Sequence, residues 1–315
     1  FRRVLFRSAV NYPCFRSYVM PAHQTPVKAF LNISKIGLVT KHPYVDQRAL
    51  DIAAAVACLK EDGGRTLLGI KVLSSGLIVE DAQMAPLRAA REAADLAGCS
   101  VMAHLVEGPP SNEETMPYLQ SGDIITHCFH GAPALAANQK AARGQPIDPR
   151  FARQSNLMWN KDGYPIQALA EAMERGVHLD VGHGAGSLSQ AVARAAIAAG
   201  IRDFSISTDA HIRNVDDVVR DLPHTMSKFL AFGMKLEDVI ASVTVIPARR
   251  FHLEHWCDDL NECGTLMRLR PVRPYDPLFL DSEHSVIQVE RLIEPVAVLR
   301  GGRIISVDQG SNLFS

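Results

Sequence analysis

Between residues 27 and 232, short runs of aliphatic and β-branched residues alternate six times with longer amphipathic stretches, and few folds accept that rhythm. The short runs fall at 27–33, 67–72, 100–105, 123–128, 177–181 and 204–208. The amphipathic stretches follow at 46–60, 82–97, 113–120, 166–175, 188–199 and 217–232. Such alternation predicts a parallel sheet wrapped by helices, and its regularity favours a (β/α)8 barrel over an open sheet. A barrel of this kind needs eight strands and the count is six, so the expectation is a barrel lacking its first two strands.

The start of the chain bears on that count. It opens on Phe1, and Arg3-Val4-Leu5-Phe6-Arg7-Ser8 reads like a translated sequencing adapter, with an apolar core too short for a signal peptide. Residues 1–8 are therefore taken as non-native, residues 9–255 as a partial barrel and residues 256–315 as a small β appendage with a tail. Within the appendage, 287–289 and 296–305 read as strands, the latter a hairpin closed by Gly301-Gly302.

Composition limits the partners. With 315 residues, 47% of them hydrophobic, the chain can bury a large core, and a net charge of -1 gives no electrostatic footprint for nucleic acid or an anionic membrane. No apolar run reaches the roughly 18 to 20 residues that span a bilayer. The 6 cysteines show no CxxC pair or disulfide-framework spacing, which predicts reduced thiols and a cytoplasmic protein. A homo-oligomer is left open.

Polar residues at strand ends carry the chemistry. Lys71, His104, His127 and Asp209 each close a strand run, and His183 follows another. In a barrel those ends converge on one mouth, where two imidazoles and a carboxylate suit a divalent ion such as Zn²⁺. Each histidine alone is more simply a structural residue, and Asp209 alone a turn former or helix cap. The series taken together is the signal. Lys71 looks foreign to a metal site, yet a buried lysine amine can become neutral and capture CO₂ as an anionic carbamate; the plainer alternative is a strand lysine paired with a carboxylate. Almost 40 residues separate His127 from the helix expected at 166, and that connection is either a lid over the mouth or an insertion without regular structure.

Five ordered segments resemble the amidohydrolase superfamily, in its deacetylase branch, which includes D-aminoacylase-like and dihydroorotase-like metallohydrolases. They are Ile70-Lys71-Val72, Ala103-His104-Leu105-Val106-Glu107-Gly108-Pro109-Pro110, Thr126-His127-Cys128-Phe129-His130-Gly131, Asp180-Val181-Gly182-His183-Gly184 and Ser207-Thr208-Asp209-Ala210-His211. Thr225-Met226-Ser227-Lys228 and Glu294-Pro295-Val296-Ala297-Val298 are similar to that branch as well.

The resemblance implies a binuclear zinc site with a carbamylated Lys71 as bridging ligand and His104, His127 and Asp209 as further ligands. It also implies that Asp209 is the general base for a metal-bridging hydroxide, with His130, His183 and His211 near the substrate. The activity implied is hydrolysis of a small amide or acyl ester, deacetylation in type.

Three departures stand out. No His-x-His pair occurs anywhere in the chain, which is read as a first strand lying upstream of Ala9. On that reading residues 9–315 alone are expected to be inactive and poorly soluble. The connection after His127 is long, and Leu266-Met267-Arg268-Leu269-Arg270-Pro271 replaces a Gly- and Asp-rich segment, which puts the packing of the appendage in question. Two alternatives are a catalytically inactive barrel with a structural or binding role, and a metal-free isomerase or aldolase using Lys71 as a Schiff base. The second leaves both histidines and Asp209 without a shared task.

Overall fold

The computed structural model describes residues 8–23, 27–40, 43–44, 46–131, 156–253, 263–300 and 303–307. The chain divides into two compact units, residues 1–160 with 164–180, and residues 161–163 with 181–315. No helix among the described residues is long and apolar enough to cross a membrane.

The first unit is built on β1 (Ala29–Asn32), β2 (Leu67–Leu73), β3 (Ser100–His104), β4 (Ile124–Thr126) and β5 (His178–Asp180). Each pairs in parallel with the next in chain order, as the alternation predicts. The register sorts the side chains, because paired residues of a parallel ladder point to the same face. One face carries Ile70, Val72, Val101, Ala103 and Ile125, all apolar and fully buried. The other carries Asn32, Lys71, His104, Thr126 and Asp180.

Helix α1 (Ile52–Asp62) begins where the Asp51 carboxylate accepts the Ala54 N–H and ends at Gly63, whose left-handed φ of 58° costs glycine little. Helix α2 (Ala85–Ala97) packs on β2 and β3 with a stripe of Leu87, Ala90, Ala93 and Ala94, small enough for close approach. Burying Leu87 contributes about 2 kcal/mol. Helix α3 (Gln167–Glu174) leads into β5. The stretch expected as a helix at 113–120 is shorter: Asn112–Thr115 is one turn opened by a Ser111–Glu114 capping box, and Pro117 tightens Met116–Tyr118 into a 3-10 turn.

Asp123 fixes the bottom of this sheet. Its carboxylate accepts the Val101 N–H at 2.7 Å, the Gln120 N–H at 2.7 Å and Arg91 of α2 at 2.6 Å. At the other end of the chain segment, Ser8 forms a parallel bridge with Asn32, and its hydroxyl donates to the Lys35 carbonyl at 2.6 Å. Cys14, Cys58, Cys99 and Cys128 are free thiols.

In the second unit, residues 181–184 run beside β6 (Phe204–Ser205) and its continuation. The N–H groups of Val181, His183 and Gly184 donate to the carbonyls of Ser205, Ser207 and Thr208. Helices α4 (Gln190–Ala198), α5 (Leu222–Ala231) and α6 (Leu236–Val243) complete the alternation. Helix α5 starts five residues later than the periodicity predicts, because Asp221 caps it by accepting the His224 N–H and Pro223 occupies its first turn.

An antiparallel sheet of β7 (Cys263–Pro271), β8 (Arg291–Arg300) and β9 (Arg303–Val307) follows, with the hairpin where the sequence places it. The segment around Arg268 and Arg270, foreign to the resembled family, finds partners within this unit. Arg268 sits opposite Glu294 in the ladder, and Arg270 binds Asp276 at 2.6 and 2.7 Å and Glu294 at 3.0 Å. The strand expected at 287–289 is absent. There the chain makes only a single bridge, Val286 with Leu280, and Ile287 is buried as a loop residue whose N–H donates to the Phe279 carbonyl.

Candidate metal centre and active site

In the first unit, the polar face of the sheet is the candidate site. Lys71 lies in the middle of β2 and is 1% exposed, an unusual place for an ammonium. Its ladder partners are Asn32 and Met102, and two residues on, Leu73 is paired with His104. Lys71 and His104 therefore share a face. Thr126 lies on the same face and donates its hydroxyl to Asp180 at 2.6 Å, a buried polar pair.

His127 follows Thr126, so strict alternation would turn it to the opposite face. It does not go there. Its φ of 71° is left-handed, and its ring stands edge-on to that of His104 with centroids 4.3 Å apart. A left-handed non-glycine residue costs about 1 to 2 kcal/mol, so surrounding contacts must hold it. Those contacts are visible: the Cys128 N–H donates to the Asp180 carbonyl, the Trp159 indole donates to the Cys128 carbonyl at 2.6 Å, and the Phe129 and Trp159 rings lie 5.6 Å apart. The His130 N–H closes the turn on the His127 carbonyl, and His130 itself is 1% exposed.

Trp159 belongs to the long connection after His127. The lid expectation falls on residues 132–155, which lie outside the described residues. From residue 156 the connection is packed down, with Met158 and Trp159 buried and Asn156 accepting two hydrogen bonds from Asn112, backbone N–H to side-chain oxygen and side-chain amide to backbone carbonyl, at 2.9 Å each.

In the second unit, Asp209 comes at the end of the β6 run, also in a left-handed conformation with φ 45°. Buried Asn214 sets that turn: it accepts the His211 N–H at 2.8 Å and donates to the Asp209 carbonyl at 3.1 Å. His211 is half-buried, and its Nδ1 accepts the Arg213 N–H. His183 is fully buried with both ring nitrogens engaged. Nδ1 pairs with the Gly184 carbonyl at 2.9 Å and Nε2 with the Lys228 ammonium at 2.8 Å. Burial, reinforced by the Lys228 charge, pulls the His183 pKa down to about 3, so the ring is neutral at ordinary pH. Burial likewise lowers Lys228 to about 7.

Among the described residues, no group of three or more His, Cys, Asp or Glu side chains could hold a metal by itself. The donor chemistry nevertheless fits a divalent ion in part. Two imidazoles in edge contact supply nitrogen donors at strand ends, and a buried lysine on the same face could add oxygen donors only after modification. Asn214 and Lys228 were assigned no role from sequence. The first has no signal beyond an Asn in a turn, and the second stood in a recognised segment without a visible target.

Comparison with known proteins gives this arrangement its context. The chain is 30% identical over 305 residues to a deacetylase of Agrobacterium fabrum, covering 95% of this chain and 69% of that protein. It is 32% identical over 241 residues to a deacetylase of Brucella anthropi, covering 76% of this chain and 54% of the relative. Among solved structures, a dihydroorotase matches with a TM-score of 0.79 and 30% identity over 96% of this chain and 74% of its own. An adenine deaminase matches with a TM-score of 0.80 and 25% identity over 95% and 76%. No family model matches. The alternating parallel sheet is that of the barrel hydrolases, and with these relatives the chain belongs to the amidohydrolase superfamily, in its deacetylase branch. Enzymes of that group are hydrolases that act on C–N bonds and generally depend on metal.

Proposed function

We propose that this chain carries the catalytic residues of a metal-dependent hydrolase that removes a small acyl group, acetyl foremost, from an amide nitrogen or ester oxygen. One observation carries the reading: His127 is turned by a left-handed backbone out of strand alternation and into edge contact with His104, on the face that also buries Lys71. A structural histidine does not need that strain.

The residues that would hold two divalent ions, zinc by their donor type, are His104, His127, Asp209 and Lys71 as its carbamate. When bound, such ions polarise a carbonyl and acidify water. Lys71 contributes by bonding its neutral amine nitrogen to CO₂ with release of one proton, which replaces the amine by a two-oxygen anion. Asp209 accepts a proton from the attacking water and returns it to the leaving nitrogen or oxygen. The Asn214 hydrogen bonds keep the Asp209 turn in one conformation, which limits the wandering of the base. His130 and His211 lie in the segments that would face the acyl and leaving groups.

The test is metal analysis and turnover of the full-length protein on a panel of N-acetyl amino acids and acyl esters. About two divalent ions per chain are expected, with kcat lowered about a thousandfold by Asp209→Asn. Absence of bound metal from protein purified without chelator would overturn the reading. Near-wild-type kcat in Asp209→Asn or Lys71→Ala would remove that residue from the chemistry.

A further inference from the structure

Lys228 is the most deeply buried cation among the described residues of the second unit, and nothing in the hydrolytic scheme uses it. It sits on α5, 0% exposed, with exactly as many acceptors as an ammonium has protons: His183 Nε2 at 2.8 Å, the Leu280 carbonyl at 2.6 Å and the Val218 carbonyl. Each acceptor comes from a different segment. Val218 lies in the turns after Asp209, Leu280 in the loop before β8, and His183 in the turn after β5.

The histidine bond selects a tautomer. In its ammonium form Lys228 can only donate, so His183 Nε2 accepts from it and the ring proton sits on Nδ1. There it donates to the Gly184 carbonyl at 2.9 Å, fixing ring and backbone to one another. Gly184 has φ 53°, and its N–H is tied to the Thr208 carbonyl. A Cβ on Gly184 would stand 3.2 Å from Asp209 Oδ2 and 3.4 Å from Ser187 Oγ. The turn that His183 holds therefore lies beside the Asp209 carboxylate, with room for no more than a glycine between them.

We propose that Lys228 is a positioning residue for Asp209, acting through the His183 tautomer and the 182–184 turn. The inference rests on the reading of Asp209 as general base. Its own content is the chain of contacts from Lys228 to His183 to Gly184 to the Asp209 carboxylate, all within one compact unit. Removing the ammonium frees the ring to adopt the Nε2–H tautomer, breaks the Gly184 bond and loosens the turn beside the base.

The experiment uses the full-length protein labelled with ¹⁵N-histidine, together with steady-state kinetics. In wild type, His183 is expected to show the Nδ1–H tautomer. In Lys228→Met the ring should shift to Nε2–H or to a mixture, while kcat falls about 10- to 100-fold and KM changes less than about threefold. A wild-type His183 in the Nε2–H form would overturn the proposal, as would a folded Lys228→Met enzyme with unchanged kcat.

If Lys228→Met does not fold, Gly184→Ala addresses the next link. It leaves the lysine–histidine bond in place, so the Nδ1–H tautomer should persist while kcat drops. Unchanged kcat there would refute the coupling. The histidine spectrum does not depend on turnover, so failure of Asp209 as base would show in Asp209→Asn kinetics while the tautomer still reported on Lys228.

Discussion

Replacing His224 by Phe should change how the protein responds to acid. His224 lies in the first turn of α5, stacked on Phe279 with centroids 4.0 Å apart and planes within 4°, and its Nε2 is buried without a hydrogen-bond partner. Burial, with Lys228 and Arg220 adding repulsion, lowers its pKa to about 2, against about 6.5 in an unfolded chain. Below pH 6.5 the unfolded chain therefore takes up a proton that the folded one refuses, and stability falls as pH falls. The slope is about 1.4 kcal/mol per pH unit from this one ring, or about 3 kcal/mol between pH 7.5 and 4.5. His183, lowered to about 3, adds a similar slope over the same window. His224→Phe keeps the stacking and the Asp221 cap, which uses the backbone N–H, and removes both the titration and the unsatisfied nitrogen. Urea unfolding at several pH values should show the variant at least as stable as wild type at pH 7.5 and more stable by about 3 kcal/mol at pH 4.5. Parallel stability curves for the two proteins would refute the argument, because they would mean that His224 titrates alike in both states.

Two further substitutions test the scaffold. Gly163 has φ 84°, and a Cβ there would meet the Ala195 carbonyl oxygen at 2.0 Å and the carbonyl carbon at 2.2 Å, so Gly163→Ala should cost about 3 kcal/mol, read as a drop in urea midpoint; a change below about 1 kcal/mol would mean that the segment moves freely off α4. Asp123→Ala strips the acceptor from the buried Val101 N–H, the partly buried Gln120 N–H and Arg91, and should destabilise by about 3 kcal/mol in the same assay, whereas a loss under about 1 kcal/mol would show that water replaces the carboxylate.

The rhythm of the sequence revealed the parallel sheet because hydrophobic periodicity is a local property: β2, β3 and α2 lie within a few residues of their expected bounds. Failures occur where long-range contacts decide. The triplet Ile287-Gln288-Val289 alternates as a strand would, yet the Phe279 carbonyl takes its first N–H and the segment stays a loop. The basic residues of β7 looked out of place until Glu294 and Asp276 were seen opposite them, a pairing that only the antiparallel register creates. For the proposed site, residue type and strand-end position singled out Lys71, His104, His127 and Asp209. The direction of His127 did not follow, since alternation alone points it the wrong way and the sign of φ is not written in one residue. Lys228 was equally opaque. Its partners lie 45 residues before it in His183 and 52 residues after it in Leu280, and no local pattern links them.

The left-handed backbones of His127 and Asp209 separate the demands of packing from those of chemistry. A strand that aimed its reactive group by ordinary alternation would bind the choice of that group to the choice of every core residue on the same face. One reversed dihedral just beyond the strand breaks this dependence. Apolar positions such as Ile125 and Phe204 can then drift in size to suit neighbouring helices without re-aiming the imidazole or the carboxylate. Transplanting such a strand into a new scaffold would succeed or fail on whether the one reversed residue, with its Trp159 or Asn214 brace, travels along with it.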